Sequence, residues 1–270
     1  MWIIVLIIVC ILLGVIIFMI FPDHSTELQR APFQDKKFAH RGLHTKDKSV
    51  PENSLEAFRR ACVKGYGIEL DIQFSKDEQI VVFHDDTLDR VCGVHGRVDD
   101  FTYEELSKMS LCGTEETIPL FSEVLRTVSG RVPLIVELKN GPKNTLLCEK
   151  SLEMLREYHG DFCIESFQPA IVKWYRKNAP DIVRGQLSSN AKDLSGGGKV
   201  NFKSWALANM LCDCISRPQF IAYNKNIYSP LAKLVGHLGA MRVVWTVRDD
   251  DDIEKINSIN DVVIFEFYEP

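Results

Sequence analysis

The chain has 270 residues, 46% hydrophobic and 26% charged, with a formal net charge of −5. These shares supply a full core and exclude a disordered or fibrous chain. The acidic balance argues against broad nucleic-acid binding, and the length suits one large α/β domain or two small ones.

From Trp2 to Phe21 the sequence is apolar without a charge, and only Gly14 interrupts it. Such a run predicts a helix of about 30 Å, the hydrocarbon thickness of a bilayer. Core helices rarely stay apolar on every side for five turns. A cleaved signal peptide would carry a basic start and small residues at a cleavage site, and neither is present. Residues 1–21 are therefore expected to be an uncleaved single-pass membrane anchor. Residues 22–35, polar and containing Pro22 and Pro32, read as a juxtamembrane linker. Arg30, Lys36, Lys37 and Arg41 follow the span while no Lys or Arg precedes it. The positive-inside rule then places the rest of the chain in the cytoplasm. The cysteines agree, because their spacing fits neither a secreted disulfide framework nor a zinc site, so free thiols are expected.

From residue 36 to 270, short β-rich runs alternate with amphipathic helical patterns. Strands are predicted at 37–41, 67–74, 80–84, 133–139, 162–167, 182–187, 219–223, 242–247 and 262–267. Between them, Ser54–Lys64 and Leu146–Tyr158 carry helical apolar faces, the first opening with a capping pattern from Asn53 to Glu56. Repeated strand–helix units of this total length predict an α/β fold, a (β/α)₈ TIM barrel, with a doubly wound sheet as the alternative. One link departs from the pattern. Only residues 75–79 separate the second and third strands, too few for a crossover helix. The barrel should be irregular there, with a hairpin-like turn setting His84 across from Glu69 or Asp71.

Reactive groups of such barrels collect at the C-terminal ends of the strands. Here those ends carry His40-Arg41, Glu69 and Asp71 on one face, His84-Asp85-Asp86, Glu137 and Lys139 on one face, and Trp245-Thr246. Any one of these has a bland reading as a structural histidine or an ion pair. Their convergence is harder to dismiss, because burying charge without a purpose is costly. Three carboxylates without clustered thiolates or imidazoles make a hard oxygen site suited to Mg²⁺ or Ca²⁺. Two histidines can supply a base and an acid, and two cations suit an anionic substrate such as a phosphodiester.

At these residues the chain resembles the glycerophosphodiester phosphodiesterases. The resemblance rests on His40-Arg41-Gly42, Pro51-Glu52-Asn53-Ser54 with Ala57-Phe58, Glu69-Leu70-Asp71, Val82-Phe83-His84-Asp85 with Leu88 and Arg90, Glu137-Leu138-Lys139, Ser166-Phe167 and Trp245-Thr246-Val247, in that order. It implies a TIM barrel, a divalent cation, and hydrolysis of glycerophosphodiesters to glycerol 3-phosphate and an alcohol, with a lysophospholipid as the other substrate it allows. It implies Glu69, Asp71 and Glu137 as metal ligands and His40 and His84 as the acid–base pair. Arg41 and Lys139 would hold the phosphate, and Trp245 would form an apolar wall for the glycerol. A cyclic phosphate formed by the glycerol's own hydroxyl is part of the same implication. The chain's end, Ile264-Phe265-Glu266-Phe267, departs from the family's usual last strand, with Glu266 standing in for its acidic residue. The competing readings are a phospholipase C- or D-like lyase that stops at a cyclic phosphate and a non-catalytic membrane-anchored sensor.

Overall fold

The computed structural model describes residues 1–225 and 229–270. All nine predicted strands form, with no end moved by more than two residues: β1 Lys37–Ala39, β2 Gly67–Phe74, β3 Ile80–Val82, β4 Leu134–Leu138, β5 Phe162–Ser166, β6 Arg184–Ser188, β7 Phe220–Asn224, β8 Met241–Val247 and β9 Val262–Phe265. The parallel order runs β1-β9-β8-β7-β6-β5-β4-β2, and β1 also pairs with β2. That pairing closes an eight-stranded parallel barrel, the expected TIM barrel. The anticipated irregularity is β3, which pairs antiparallel to the end of β2 through a turn held by Ser75 and Gln79.

The register of this hairpin differs by one residue from the expected one. Phe83 N–H donates to the Asp71 carbonyl at 3.0 Å, so Phe83 stands opposite Asp71 and His84 bends away beyond it.

Strand alternation gives the barrel two faces. Outward residues such as Ile68, Leu70, Val136 and Ile164 pack beneath the helices. Inward residues Phe38, Ile135, Cys163, Val183, Phe220, Met241 and Val262 fill the interior together with Phe33. The inward position opening β2 is glycine because a Cβ at Gly67 would lie 2.5 Å from the Phe38 ring.

The first helix, α1 (Trp2–Ile20), is long and apolar enough to cross a membrane. Its last turn meets the barrel: Ile20 is fully buried, and the Arg217 guanidinium donates to the carbonyls of Phe18 and Phe21 at 2.9 and 2.6 Å. Those carbonyls would otherwise lack partners at the helix end. The stretch after it is docked on the barrel. It holds the short helix α2 (Glu27–Arg30), closed by a Thr26–Gln29 capping box. Asp23 pairs with the buried Arg184 and its N–H donates to the Pro218 carbonyl. Phe33 is 3% exposed and stacks on Phe38 at 6.4 Å, covering the N-terminal end of the barrel.

The next helix, α3 (Leu55–Lys64), starts one residue later than its sequence pattern suggested. Ser54, not Asn53, is the N-cap and accepts from the Ala57 N–H at 3.1 Å. Asn53 takes a left-handed conformation and turns its amide to the barrel mouth. All eight cysteines are free; Cys148 and Cys163 are buried and Cys10 is exposed on α1.

Candidate active site

The C-terminal mouth of the barrel holds a pit of about 100 Å³ lined by His40, Arg41, Glu69, His84, Glu137, Glu165, Phe167, Leu187, Trp245 and Ile264. It gathers every predicted site residue except Asp71 and Lys139, which lie in contact with its lining. Strand geometry accounts for the grouping. Glu69 and Asp71 lie two apart on β2, and Asp71 is in register with Glu137 of β4. Oxygens of Glu69, Asp71 and Glu137 come within 4.8 Å of one another, and all three residues are buried.

Each carboxylate is held differently. Asp71 accepts from Asn53 Nδ2 at 2.9 Å and faces Lys139 Nζ at 3.3 Å and Arg41 Nε at 3.6 Å. Burial alone would raise its pKa, but His84, Lys139 and Arg41 hold it well below the usual range. Glu137 pairs with Lys139 at 2.9 Å, and Glu69 accepts from the Arg41 backbone N–H at 3.0 Å. Burial and the neighbouring Asp71, Glu165 and Glu137 push the Glu69 carboxyl far up. Burial, opposed by Lys139, also raises Glu137. A group of acids that resist ionising together lacks positive charge, and their hard oxygens suit Mg²⁺ or Ca²⁺.

The backbone around Arg41 is shaped for this contact. Arg41 has φ +54° and Gly42 φ +80°, and a Cβ at Gly42 would lie 2.8 Å from the Ala57 Cβ. The tight turn aims the Arg41 N–H at Glu69 and its guanidinium at Glu52, 2.7 Å away.

The two histidines approach from different strands. His40 Nε2 lies 3.9 Å from Glu69, and its Nδ1 lies 3.5 Å from Glu266. Burial and then the Arg41 charge lower its pKa to about 4 against the pull of Glu266, which leaves a neutral ring able to accept a proton. His84 Nδ1 meets Asp85 at 2.6 Å, which leaves Nε2 for the pit. Asp85 is gripped by Arg90, which reaches on to Glu52, so one chain of ion pairs links His84 to Arg41. Trp245 stands edge-on to Phe167 at 5.9 Å and forms the apolar side of the pit.

Several contacts here are not evident from sequence position. Glu266, at the end of β9, lies 3.2 Å from His44 Nε2 and 2.6 Å from Arg248, besides meeting His40. Glu165 of β5 is 1% exposed and in register with Glu137. The signal for Glu165 was a single carboxylate inside an apolar strand. Beside the pit, a cleft of about 430 Å³ carries Arg41, Lys46, Lys48, Arg90, Lys225 and Arg248 against Glu52 and Glu266.

A closed barrel whose mouth joins buried carboxylates, two histidines and paired cations belongs to the enzymes that act through strand-end residues. The chain is a member of the glycerophosphoryl diester phosphodiesterase family, which it matches over residues 40–267. It is 31% identical to YhdW of Bacillus subtilis strain 168 over 232 residues, covering 82% of this chain and 89% of that protein. It is 37% identical to the glycerophosphodiester phosphodiesterase of Caldanaerobacter subterraneus over 161 residues, 55% of this chain and 65% of that one. Its fold matches an Oleispira antarctica phosphodiesterase solved in complex with the product sn-glycerol-3-phosphate. The TM-score is 0.70 at 22% identity, covering 86% of this chain and 93% of that one.

Proposed function

We propose that the chain hydrolyses glycerophosphodiesters to glycerol 3-phosphate and an alcohol, with Glu69, Asp71 and Glu137 holding Mg²⁺ or Ca²⁺. The observation that carries this reading is the meeting of these three buried carboxylates with two histidines from separate strands in and beside one pit. A divalent cation bound there neutralises phosphate charge and polarises its oxygens. Arg41 and Lys139 orient the phosphate, and Trp245 with Phe167 forms an apolar wall for the glycerol carbons. His40, neutral and steadied by Glu266, takes a proton from the attacking hydroxyl. His84, fixed through Nδ1 by Asp85, gives a proton to the departing alkoxide. The attacking hydroxyl is either water or the glycerol's own, and in the second case a cyclic phosphate is then opened by water. The surplus of cations in the adjoining cleft suits an anionic diester.

In the same reading residues 1–21 anchor the chain in a membrane, 22–35 join the anchor to the barrel, and 36–270 form the catalytic domain on the cytoplasmic side. The test of the activity is phosphorus NMR of the products from a panel of glycerophosphodiesters and lysophospholipids, with cation present and after chelation. Glycerol 3-phosphate, or its acyl ester from a lysophospholipid, released only with cation is expected. A cyclic phosphate as the end product would replace hydrolase by lyase, and no turnover of any diester would defeat the reading.

A further inference from the structure

On β2, β4 and β5 four carboxylates, not three, face the mouth of this barrel, and the fourth differs from the others. Register carries Asp71 of β2 to Glu137 of β4 and Glu137 to Glu165 of β5, so these three side chains form one row on the inner face. Glu69 lies one pleat deeper on β2. Asp71, Glu137 and Glu69 each have a cationic or N–H partner from Lys139, Arg41 or Asn53. Glu165 has no such partner among the described residues. It is 1% exposed, its Oε2 is buried without a hydrogen bond, and it lines the same pit as Glu69 and Glu137. A buried carboxylate oxygen left without a partner is costly, and the pit is the place from which one can come.

We propose that Glu165 is a fourth oxygen donor to the divalent cation and that it biases the site toward Ca²⁺ over Mg²⁺. The inference rests on the cation reading given above and adds a ligand and a selectivity to it. The chemistry follows from coordination number. Mg²⁺ demands a compact octahedron, keeps several waters, and is usually bound through one or two carboxylates. Ca²⁺ takes six to eight oxygens in looser geometry and gains from each added carboxylate. A row of three carboxylates with a fourth beneath it favours the larger ion.

The experiment is calorimetric titration of the full chain in detergent micelles with Ca²⁺ and with Mg²⁺ separately, without substrate. Wild type, Glu165→Gln and Glu165→Asp are compared, and melting curves without cation report their folding. Glu165→Gln should weaken Ca²⁺ at least tenfold and Mg²⁺ by less than threefold. Glu165→Asp, which keeps the charge one methylene short, should fall between, and it decides the matter if the glutamine variant does not fold. Calcium affinity within twofold of wild type in the folded variants would overturn the assignment, because a neutral hydrogen-bonding side chain would then suffice. Equal losses for both ions would overturn the selectivity. A wild-type chain that binds neither ion would overturn this proposal together with the cation reading beneath it.

Discussion

Replacing Phe33 by alanine separates a docked base from a passive tether. Phe33 is 3% exposed, stacks on Phe38 at 6.4 Å and shares the interior cluster with Ile135, Phe220 and Met241. Removing a buried phenyl ring loses its transfer free energy and leaves a cavity, together about 3–5 kcal/mol. For a domain of this size each kcal/mol moves the melting temperature by about 2–4 °C, so Phe33→Ala should lower it by about 6–20 °C. Phe33→Leu keeps most of the apolar volume and should lose far less. Both can be read by near-UV circular dichroism of the full chain in detergent. The ring closes the barrel end opposite the pit, so turnover per folded molecule should stay near wild type. An alanine variant that melts within 2 °C of wild type would refute the account. The 22–35 stretch would then be a tether, and the burial of Phe33 would carry no weight in the fold.

Three further expectations follow from the site. Saturating the chelated protein with Ca²⁺ at about 100 times its Kd should stabilise it by about 2.7 kcal/mol, a rise of about 5–11 °C. Glu69→Gln should melt higher than wild type without cation and lose most of that rise; a rise left intact would remove Glu69 from the ligand set. His84→Ala should slow hydrolysis of a glycerophosphodiester by about 10²–10⁴ but damage an activated aryl diester much less, since that leaving group needs no proton. Equal damage on both would mean that His84 is not the acid. The last concerns Glu52, where burial favours the neutral form but Arg90 and Arg41 hold the carboxyl down to about 2. A carboxyl depressed on folding contributes stability above its unfolded pKa, near 4.5, and loses it as the pH falls toward 2. Glu52→Gln should therefore be destabilised at neutral pH, with a flatter acid-melting profile between about 4.5 and 2; a profile parallel to wild type would contradict this.

The strands and their cargo were legible because they depend on local pattern. Alternation alone puts Glu69 and Asp71 on one face, and a five-residue link between β2 and β3 excludes a crossover helix whatever the rest of the fold. What escaped depends on partners distant in sequence. Glu165 is an unremarked strand residue until the β4–β5 register sets it beside Glu137. His44 and Glu266 meet because β1 pairs with β9 when the barrel closes, a contact no segment pattern contains. Asn53 read as a helix cap because Asn, like Ser, is a good one. The backbone chose Ser54, which freed the Asn53 amide for Asp71. Phe33 sits in a polar stretch without periodicity, so nothing local distinguishes a floor from a tether.

The interior of the barrel changes character along its axis, and one physical constraint accounts for the change. On β1 the inward residues run from Phe38 to His40, and on β2 from Gly67 through Glu69 to Asp71. On β4 they run from Ile135 to Glu137, on β5 from Cys163 to Glu165, and on β9 from Val262 through Ile264 to Glu266. On each of these five strands the step from apolar or neutral to ionisable comes two residues later on the same face. Below that step Phe33 closes the barrel over buried apolar residues, so an ionised group there would bear a heavy desolvation penalty. Above it the mouth admits solvent, and Arg41, Lys139 and Arg248 can reach in from the loops and strand ends. The antiparallel strand β3 serves the same end of the molecule. A parallel crossover after β2 would return the chain to the floor before the next strand rose, whereas the hairpin brings β3 directly beside the end of β2. It thereby delivers His84 to the mouth within thirteen residues of Asp71. The departure from regular barrel topology is what places a second imidazole, on a separate strand from the first, within reach of the same buried carboxylates.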